Sequence, residues 1–482
     1  MPTNLDNIFR ETAKRHPHHD AIVGPADDDR LSYRALDEAI EATADRLRNA
    51  GVLPGMAIAL HYASGVQYIV QNYAIWRCRA VSVPIAMELA PQEKRALCAE
   101  IRVDAIVSST KGLRFSLEIA ESESVDLGEG SRIVWLRASR PHPDGFHAIN
   151  AAFIRFTSGT TGASKGVVLS HETVNDRIHA ANGALAISMP DRIMWLLSMS
   201  YHFTVSIVSY LSFGATIILP KNKLATAIVE ACRRHRATLL YGSPMHIALM
   251  ADYPRGTPLP DLRIAISTTT AIDVVIAKRF RQRYGIGVSQ ALGIIEIGLP
   301  CINLDFPGKG GSVGKLLPAY ELRLDDVGHG PDMKEIYFRG PGFLDAYYHP
   351  WRTRDQLTDD GWFATHDVGN VDADGCLYLH GRSKDVINVA GMKFFPREVE
   401  TVLNQHACVK ESGVFGAPHS RTGQSPRANV VLEPDVDPET VSADLRRHCL
   451  LHIAAYKVPE KFNLVEKLPK SASGKILHRT LK

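Results

Sequence analysis

The 482-residue sequence predicts an α/β protein: a large N-terminal region of parallel-sheet units covered by helices, then a small α+β domain. Two observations carry that class. Short apolar runs alternate with segments of helical periodicity, the pattern of βαβ units. Near residue 385 this alternation gives way to a few strands, two helices and a basic tail. The division is therefore placed between 1–383 and 384–482. Apolar residues make up 45% of the chain and charged residues 22%, which suffices for a large core.

In chain order, Leu36, Ile40, Ala44 and Leu47 recur at helical spacing and Gly51 is the stop signal. Residues 57–60 read as a buried strand, as do 151–154 and 167–169. Residues 194–220 carry no formal charge, but serines, His202, Gly214 and Pro220 interrupt them. They read as a buried helix plus a strand over 215–219, not as a membrane span. Then follow a helix over 225–236, strands over 238–241 and 264–266, and a helix over 273–284 closed by Gly285. The C-terminal region supplies strands over 385–389, 409–415 and 428–432 and helices over 396–405 and 441–455.

A net charge of +3 gives no nucleic-acid footprint. The seven cysteines are scattered without a Cys-x-x-Cys pair, which fits a reducing cytoplasm. The N-terminus carries no basic-then-apolar leader. His448, Cys449 and His452 share one helical turn; an amphipathic helix explains them more simply than a metal site.

The chemistry concentrates in residues 157–165, between the apolar runs 151–154 and 167–169. Thr157, Ser158, Gly159, Thr160, Thr161, Gly162 and Lys165 combine hydroxyl donors, glycines that turn backbone N–H groups outward, and a point charge. A polyphosphate suits this set, whereas a flexible linker would not sit between tight strands. The common nucleotide P-loop is excluded, because Lys165 is followed by Gly166. Gly308-Lys309-Gly310-Gly311 is likewise no dinucleotide fingerprint, since Val313 stands where the third glycine belongs.

The run Thr-Ser-Gly-Thr-Thr-Gly-x-x-Lys-Gly-Val resembles the phosphate loop of the adenylate-forming (ANL) superfamily. That superfamily holds acyl-CoA synthetases, adenylation domains of nonribosomal peptide synthetases and beetle luciferases. Further stretches keep its order. Gln290–Glu296 is similar to its Tyr-Gly-x-Thr-Glu run, matching at Gly293 and at Glu296, the implied Mg²⁺ ligand. It departs at Leu292 and Ile295, each of which removes a hydroxyl beside the nucleotide. Asp367 resembles the ribose-binding aspartate and Arg382 a nucleotide-contacting arginine, while His366 replaces a glycine. Lys384 falls at the implied hinge of a mobile C-terminal domain, and Gly391 at the implied passage of a pantetheine arm. Lys475, in Leu468–Ile476, resembles the terminal catalytic lysine.

The resemblance implies ATP, Mg²⁺ and CoA as cofactors. Catalysis would fall to Lys475, Glu296, Lys384 and Arg382: a carboxylic acid becomes acyl-AMP, and a thiol then forms a thioester. A carrier-protein phosphopantetheine thiol or an amine is the alternative acceptor. Nucleotide binding without turnover is the second alternative, favoured by Leu292, Ile295 and His366. On the substrate side, His202 stands where amino-acid-activating members carry an aspartate, so α-amino acids are expected to be rejected. A core histidine is the equal alternative for His202. Thr268 and Thr269 replace glycines of the pocket wall, which favours a small or aromatic acid over a long fatty acid.

Overall fold

The computed structural model describes residues 2–26, 29–109, 124–136, 141–156, 166–253, 258–304, 308–326, 333–434, 436, 438–470 and 476–481. The chain forms two compact units, Met1–Glu321 with Gly340–Gly361, and Leu322–Arg339 with Trp362–Lys482.

The first unit carries two sheets. In one, strands Asp20–Val23, Thr216–Ile218, Arg192–Trp195, Leu239–Gly242, Ile264–Ser267 and Val288–Ile294 lie side by side, all parallel. Antiparallel strands Arg30–Ser32 and Gly298–Asn303 flank that parallel centre. The other sheet has nine strands, with a parallel centre of Ala151–Phe156, Val81–Pro84, Ala57–His61 and Ala105–Ser109. The hydrophobic runs of these central strands are continuous because both faces are covered. An aromatic seam of Phe9, Tyr73, Trp76, Phe153 and Phe203 fills the interior, with ring centroids 5.0–6.3 Å apart. The buried Trp76 also donates from Nε1 to the Ala152 carbonyl at 2.8 Å. Arg77 joins three segments of this unit by pairing with Asp6, Asp37 and Glu41.

Local sequence explains the helices. Tyr33–Asn49 starts at Ser32, whose side chain accepts from Ala35 N, and buries Leu36, Ile40, Ala44 and Leu47. Val274–Tyr284 is capped by Asp273 and ended by Gly285 at φ +76°. The uncharged stretch 194–220 folds as two short helices, Met199–His202 and Ile207–Ser212, before the strand Thr216–Ile218. None of the described helices is long and apolar enough to cross a membrane.

The second unit contains two sets of strands. Strands Glu321–Asp326, Lys334–Arg339, Trp362–Val371 and Cys376–Arg382 follow one another in the first set. The turn 372–375 is an Asx turn: Asp372 Oδ1 accepts from Asp374 N and Cys376 N at 3.0 and 2.9 Å. The second sheet pairs Val409–His419 with Gly423–Leu432, carries the hairpin Ile387–Val389/Met392–Phe394, and adds Lys461–Leu464 in parallel. Helices Pro396–Leu403 and Pro438–His452 bury Val399, Leu403, Leu445 and Cys449 against it. Asp385, expected to open a strand, lies instead in a 3₁₀ turn, Ser383–Asp385, and the strand starts at Ile387.

Candidate active site

Strands Ala151–Phe156 and Gly166–Ser170 form an antiparallel ladder whose last pair is Phe156↔Gly166. That pair fixes both ends of the 157–165 loop. Thr157, Ser158, Gly159, Thr160, Thr161, Gly162 and Lys165 themselves lie outside the described residues. So does Lys475, although the described residues on either side of it pair with each other. Lys470 and Ile476 form an antiparallel bridge, and Leu477 N donates to Pro469 O at 2.9 Å. Lys470 Nζ pairs with Glu411 Oε2 at 2.5 Å, and Leu468, Ile476 and Leu481 pack with Phe415, Ala417 and Val431.

Glu296 sits in the tight turn between strands Val288–Ile294 and Gly298–Asn303, closed by Ile297 N donating to Ile294 O at 3.0 Å. Three contacts hold it. Its own carbonyl accepts from Leu344 N at 2.8 Å. Its Oε1 accepts from the Tyr347 hydroxyl at 2.9 Å. The neighbouring Ile295 carbonyl accepts from Arg177 Nη1 at 2.8 Å. Arg177 is 1% exposed and also donates from Nε to the Gly342 carbonyl. Gly342 has φ +73°, and a Cβ there would come within 2.5 Å of Arg177 Cγ. Arg177 thus ties the turn to the 340–361 segment. Burial pulls its guanidinium down to about 10. Neither Arg177 nor Tyr347 stood out in the sequence, since their partners lie 118 and 51 residues away.

The expected substrate-side residues come together at the carboxyl ends of the parallel strands, where open α/β sheets bind their ligands. His202 closes the helix Met199–His202 and meets the Trp195 ring edge-on at 6.3 Å. Trp195 stacks on Tyr241 at 5.5 Å, with the rings 9° from parallel. The Tyr241 hydroxyl is shared with Thr268 and Ser206. Thr268 is buried, and its Oγ1 donates to the Ala291 carbonyl at 3.4 Å. Thr269 is half-buried at φ +80°, a left-handed backbone that β-branched residues strongly disfavour. Gly293 is exposed, 4.0 Å from Thr268 Oγ1 by its would-be Cβ. Arg155, the one charged residue of an otherwise apolar strand, reaches Tyr201, the neighbour of His202. Its guanidinium lies 5.7 Å from the Tyr201 ring centroid and interacts electrostatically with Glu296.

In the second unit, Asp367 and Arg382 are cross-strand partners, joined from Arg382 Nε to Asp367 Oδ1 at 3.2 Å. His366 adopts φ +59° and places Nδ1 2.8 Å from Glu335 Oε1. Like Thr269, it keeps a backbone that a glycine would adopt without cost. Lys384 is exposed in its 3₁₀ turn. Gly391, at φ +90°, follows Ala390 at φ +50° in a two-residue hairpin turn, and Gly391 N donates to Asn388 Oδ1 at 2.9 Å. A Cβ at Gly391 would meet nothing within 4 Å, so the backbone, not crowding, calls for glycine here.

Residues 9–348 match the AMP-binding enzyme family, and residues 398–475 match the AMP-binding enzyme C-terminal domain. The chain belongs to this family. The resemblance to the adenylate-forming superfamily read from its motifs therefore holds. The two matched spans leave residues 349–397 between them. A sulfoacetate–CoA ligase of Cupriavidus necator is 27% identical, covering 98% of this chain and 96% of the relative. An oxalate–CoA ligase of Arabidopsis thaliana is also 27% identical, covering 98% and 97%. Among solved structures, the o-succinylbenzoate CoA synthetase of Bacillus subtilis in complex with its acyl-adenylate superposes with a TM-score of 0.86. It is 23% identical and covers 100% of this chain and 98% of that one. That likeness establishes the fold of this AMP-binding enzyme.

Proposed function

We propose that this chain is an AMP-forming acid–thiol ligase that activates a small carboxylic acid with ATP and passes the acyl group to CoA. The observation that carries the reading is the family match over residues 9–348 and 398–475, in order, on a chain whose Glu296 turn is held by three hydrogen bonds. In the first step a carboxylate oxygen attacks the α-phosphorus; the bond to pyrophosphate breaks and acyl-AMP forms. In the second, a thiol sulfur attacks the acyl carbon, AMP leaves with the bonding pair, and the thiol proton is released.

The residues take the following parts. Thr157, Ser158, Thr160, Thr161 and Lys165 hold the phosphates. Glu296 suits Mg²⁺: among the described residues it makes no ion pair, and Tyr347 occupies only Oε1, which leaves an oxygen donor of the type Mg²⁺ takes beside phosphate oxygens. Mg²⁺ bound there supplies charge neutralisation at the phosphates. Asp367 accepts from the ribose hydroxyls and is oriented by Arg382. Lys475 offsets the charge that builds between the carboxylate and the α-phosphate. Lys384 is the hinge of the 384–482 domain, and Gly391 lies by the pantetheine arm in the second step. The proposed setting is the cytoplasm.

A second reading, nucleotide binding without turnover, draws on Leu292 and Ile295, whose half-buried side chains bring no hydroxyl to the Glu296 turn. Pyrophosphate exchange into ATP across short aliphatic, aryl, long-chain and α-amino acids, followed by thioester formation with CoA, separates the two. Exchange with a small acid and rejection of α-amino acids is expected. No exchange with any acid would leave the second reading standing.

A further inference from the structure

Beside Tyr201 the first unit holds a cation that the activation chemistry above does not use. Arg155 lies in strand Ala151–Phe156, two positions before the 157–165 loop. Ile154 faces the core of its sheet with Val83, Ile101, Val168 and Tyr348. The alternation of a strand turns Phe153 and Arg155 to the opposite face. There Phe153 stacks on Phe203, and Arg155 lies over Tyr201, one residue from His202. The residue is half-buried, and its Nε is buried with no hydrogen-bond partner. It makes no ion pair among the described residues, and the groups that favour its charge are Tyr201, Glu296 and Tyr68. Burial draws its pKa down to about 10, so the site holds its charge at a cost. Buried arginines are ordinarily matched by a carboxylate, and the ring of Tyr201 replaces only a fraction of that stabilisation.

An arginine held this way is a fork of donors awaiting a planar or tetrahedral oxyanion. Tyr201 and His202, both half-buried on the adjoining helix, add further polar groups to the same wall. We infer that Arg155 is a specificity-determining residue that binds a second anionic group on the acid, so that the substrate is a short dianion carrying a carboxylate or sulfonate besides the reacting carboxylate. This rests on the adenylation reading and narrows its substrate class.

The test compares pyrophosphate exchange by the wild-type protein, Arg155→Leu and Arg155→Lys with oxalate, malonate, succinate and sulfoacetate, and with acetate, propionate, butyrate and benzoate. In wild type the best dianion is expected to exceed the best monoanion at least tenfold in kcat/KM. In Arg155→Leu that ratio should fall at least a hundredfold, with KM for ATP within threefold, and Arg155→Lys should recover part of it. A ratio unchanged by Arg155→Leu, including an equal loss for both classes, would overturn the inference and place the guanidinium on the reacting carboxylate. A tenfold rise in KM for ATP with an unchanged ratio would also overturn it, placing Arg155 on the nucleotide phosphates. Silence with every acid would count against adenylation, not against Arg155. Calorimetric binding of the same acids with a non-hydrolysable ATP analogue then decides: a tenfold weaker dianion in Arg155→Leu supports the inference, and equal affinities overturn it.

Discussion

Replacing Arg177 by methionine should disturb the metal dependence of the reaction far more than the stability of the fold. The side chain donates to two carbonyls, the part-buried Ile295 O and the buried Gly342 O. Hydrogen bonds from a charged donor are worth about 1.5–3 kcal/mol each, so their loss removes about 3–6 kcal/mol. Against this, burial lowers the guanidinium from 12.5 to about 10, a desolvation cost on the order of 3 kcal/mol that methionine would not carry. The net loss is therefore about 1.5 kcal/mol. For a unit of roughly 340 residues with an unfolding entropy of ~2.1 cal/mol/K per residue, Tm should fall by about 2 °C, and the variant remains folded. The Glu296 turn, however, loses its tie to the 340–361 segment. In a pyrophosphate-exchange assay titrated with MgCl₂, the half-maximal concentration should rise at least tenfold. Tyr347→Phe, which removes only the hydroxyl on Glu296 Oε1, should raise it less and leave Tm within about 1 °C. A lowered Tm with a half-maximal concentration within twofold of wild type would refute the reasoning and reduce Arg177 to a structural clamp.

Three more expectations concern other parts of the chain. Lys475→Ala should slow acyl-AMP formation by about 10²–10³ while sparing thioester formation from supplied acyl-AMP; equal losses in both half-reactions would disprove its assignment to the first. Thr269→Gly removes a left-handed β-branched residue and should raise the urea-derived stability by about 1 kcal/mol; a loss of stability would mean that the side chain contributes more than the backbone costs. Acid should weaken the fold, because burial holds His171 near 3 and His142 and His246 near 4. The unfolded chain then binds more protons below its ordinary histidine value of about 6.5, so stability present above that pH is lost as pH falls towards about 4. His171 and His246 accept backbone N–H groups of Leu5 and Ser243 at Nδ1, contacts that a protonated ring cannot make. Each buried ring should remove about 2 kcal/mol by pH 5; a urea midpoint flat from pH 7 to 5 would contradict this.

The sequence by itself determined the class of the fold, most of its elements and the family. Periodicity and caps are local: Leu36, Ile40, Ala44 and Leu47 mark a buried helix face wherever that helix packs, and Gly285 ends its helix through its own φ. Motif spacing is local too, which is why the turn at Glu296 and the pair Asp367–Arg382 could be picked out residue by residue. Tertiary structure decided what depends on distant partners. Residues separated by 66 positions in the chain, His202 and Thr268, reach one wall because parallel strands end on the same side, linked through Trp195 and Tyr241. Glu296 is steadied by Arg177 and Tyr347, whose roles arise only when the 340–361 segment returns to the first unit. The expected narrowing at the threonines gains a detail no pattern could supply: Thr268 turns its hydroxyl inward to Ala291, and Thr269 bears the backbone strain. Arg155 is the sharpest case. In the sequence it is one charge in an apolar strand, and only the packing of the opposite strand face leaves its Nε buried without a partner. Hydrophobic period reports which face is buried; it does not report which buried charge has gone unpaired, because pairing is set by neighbours that folding alone brings together.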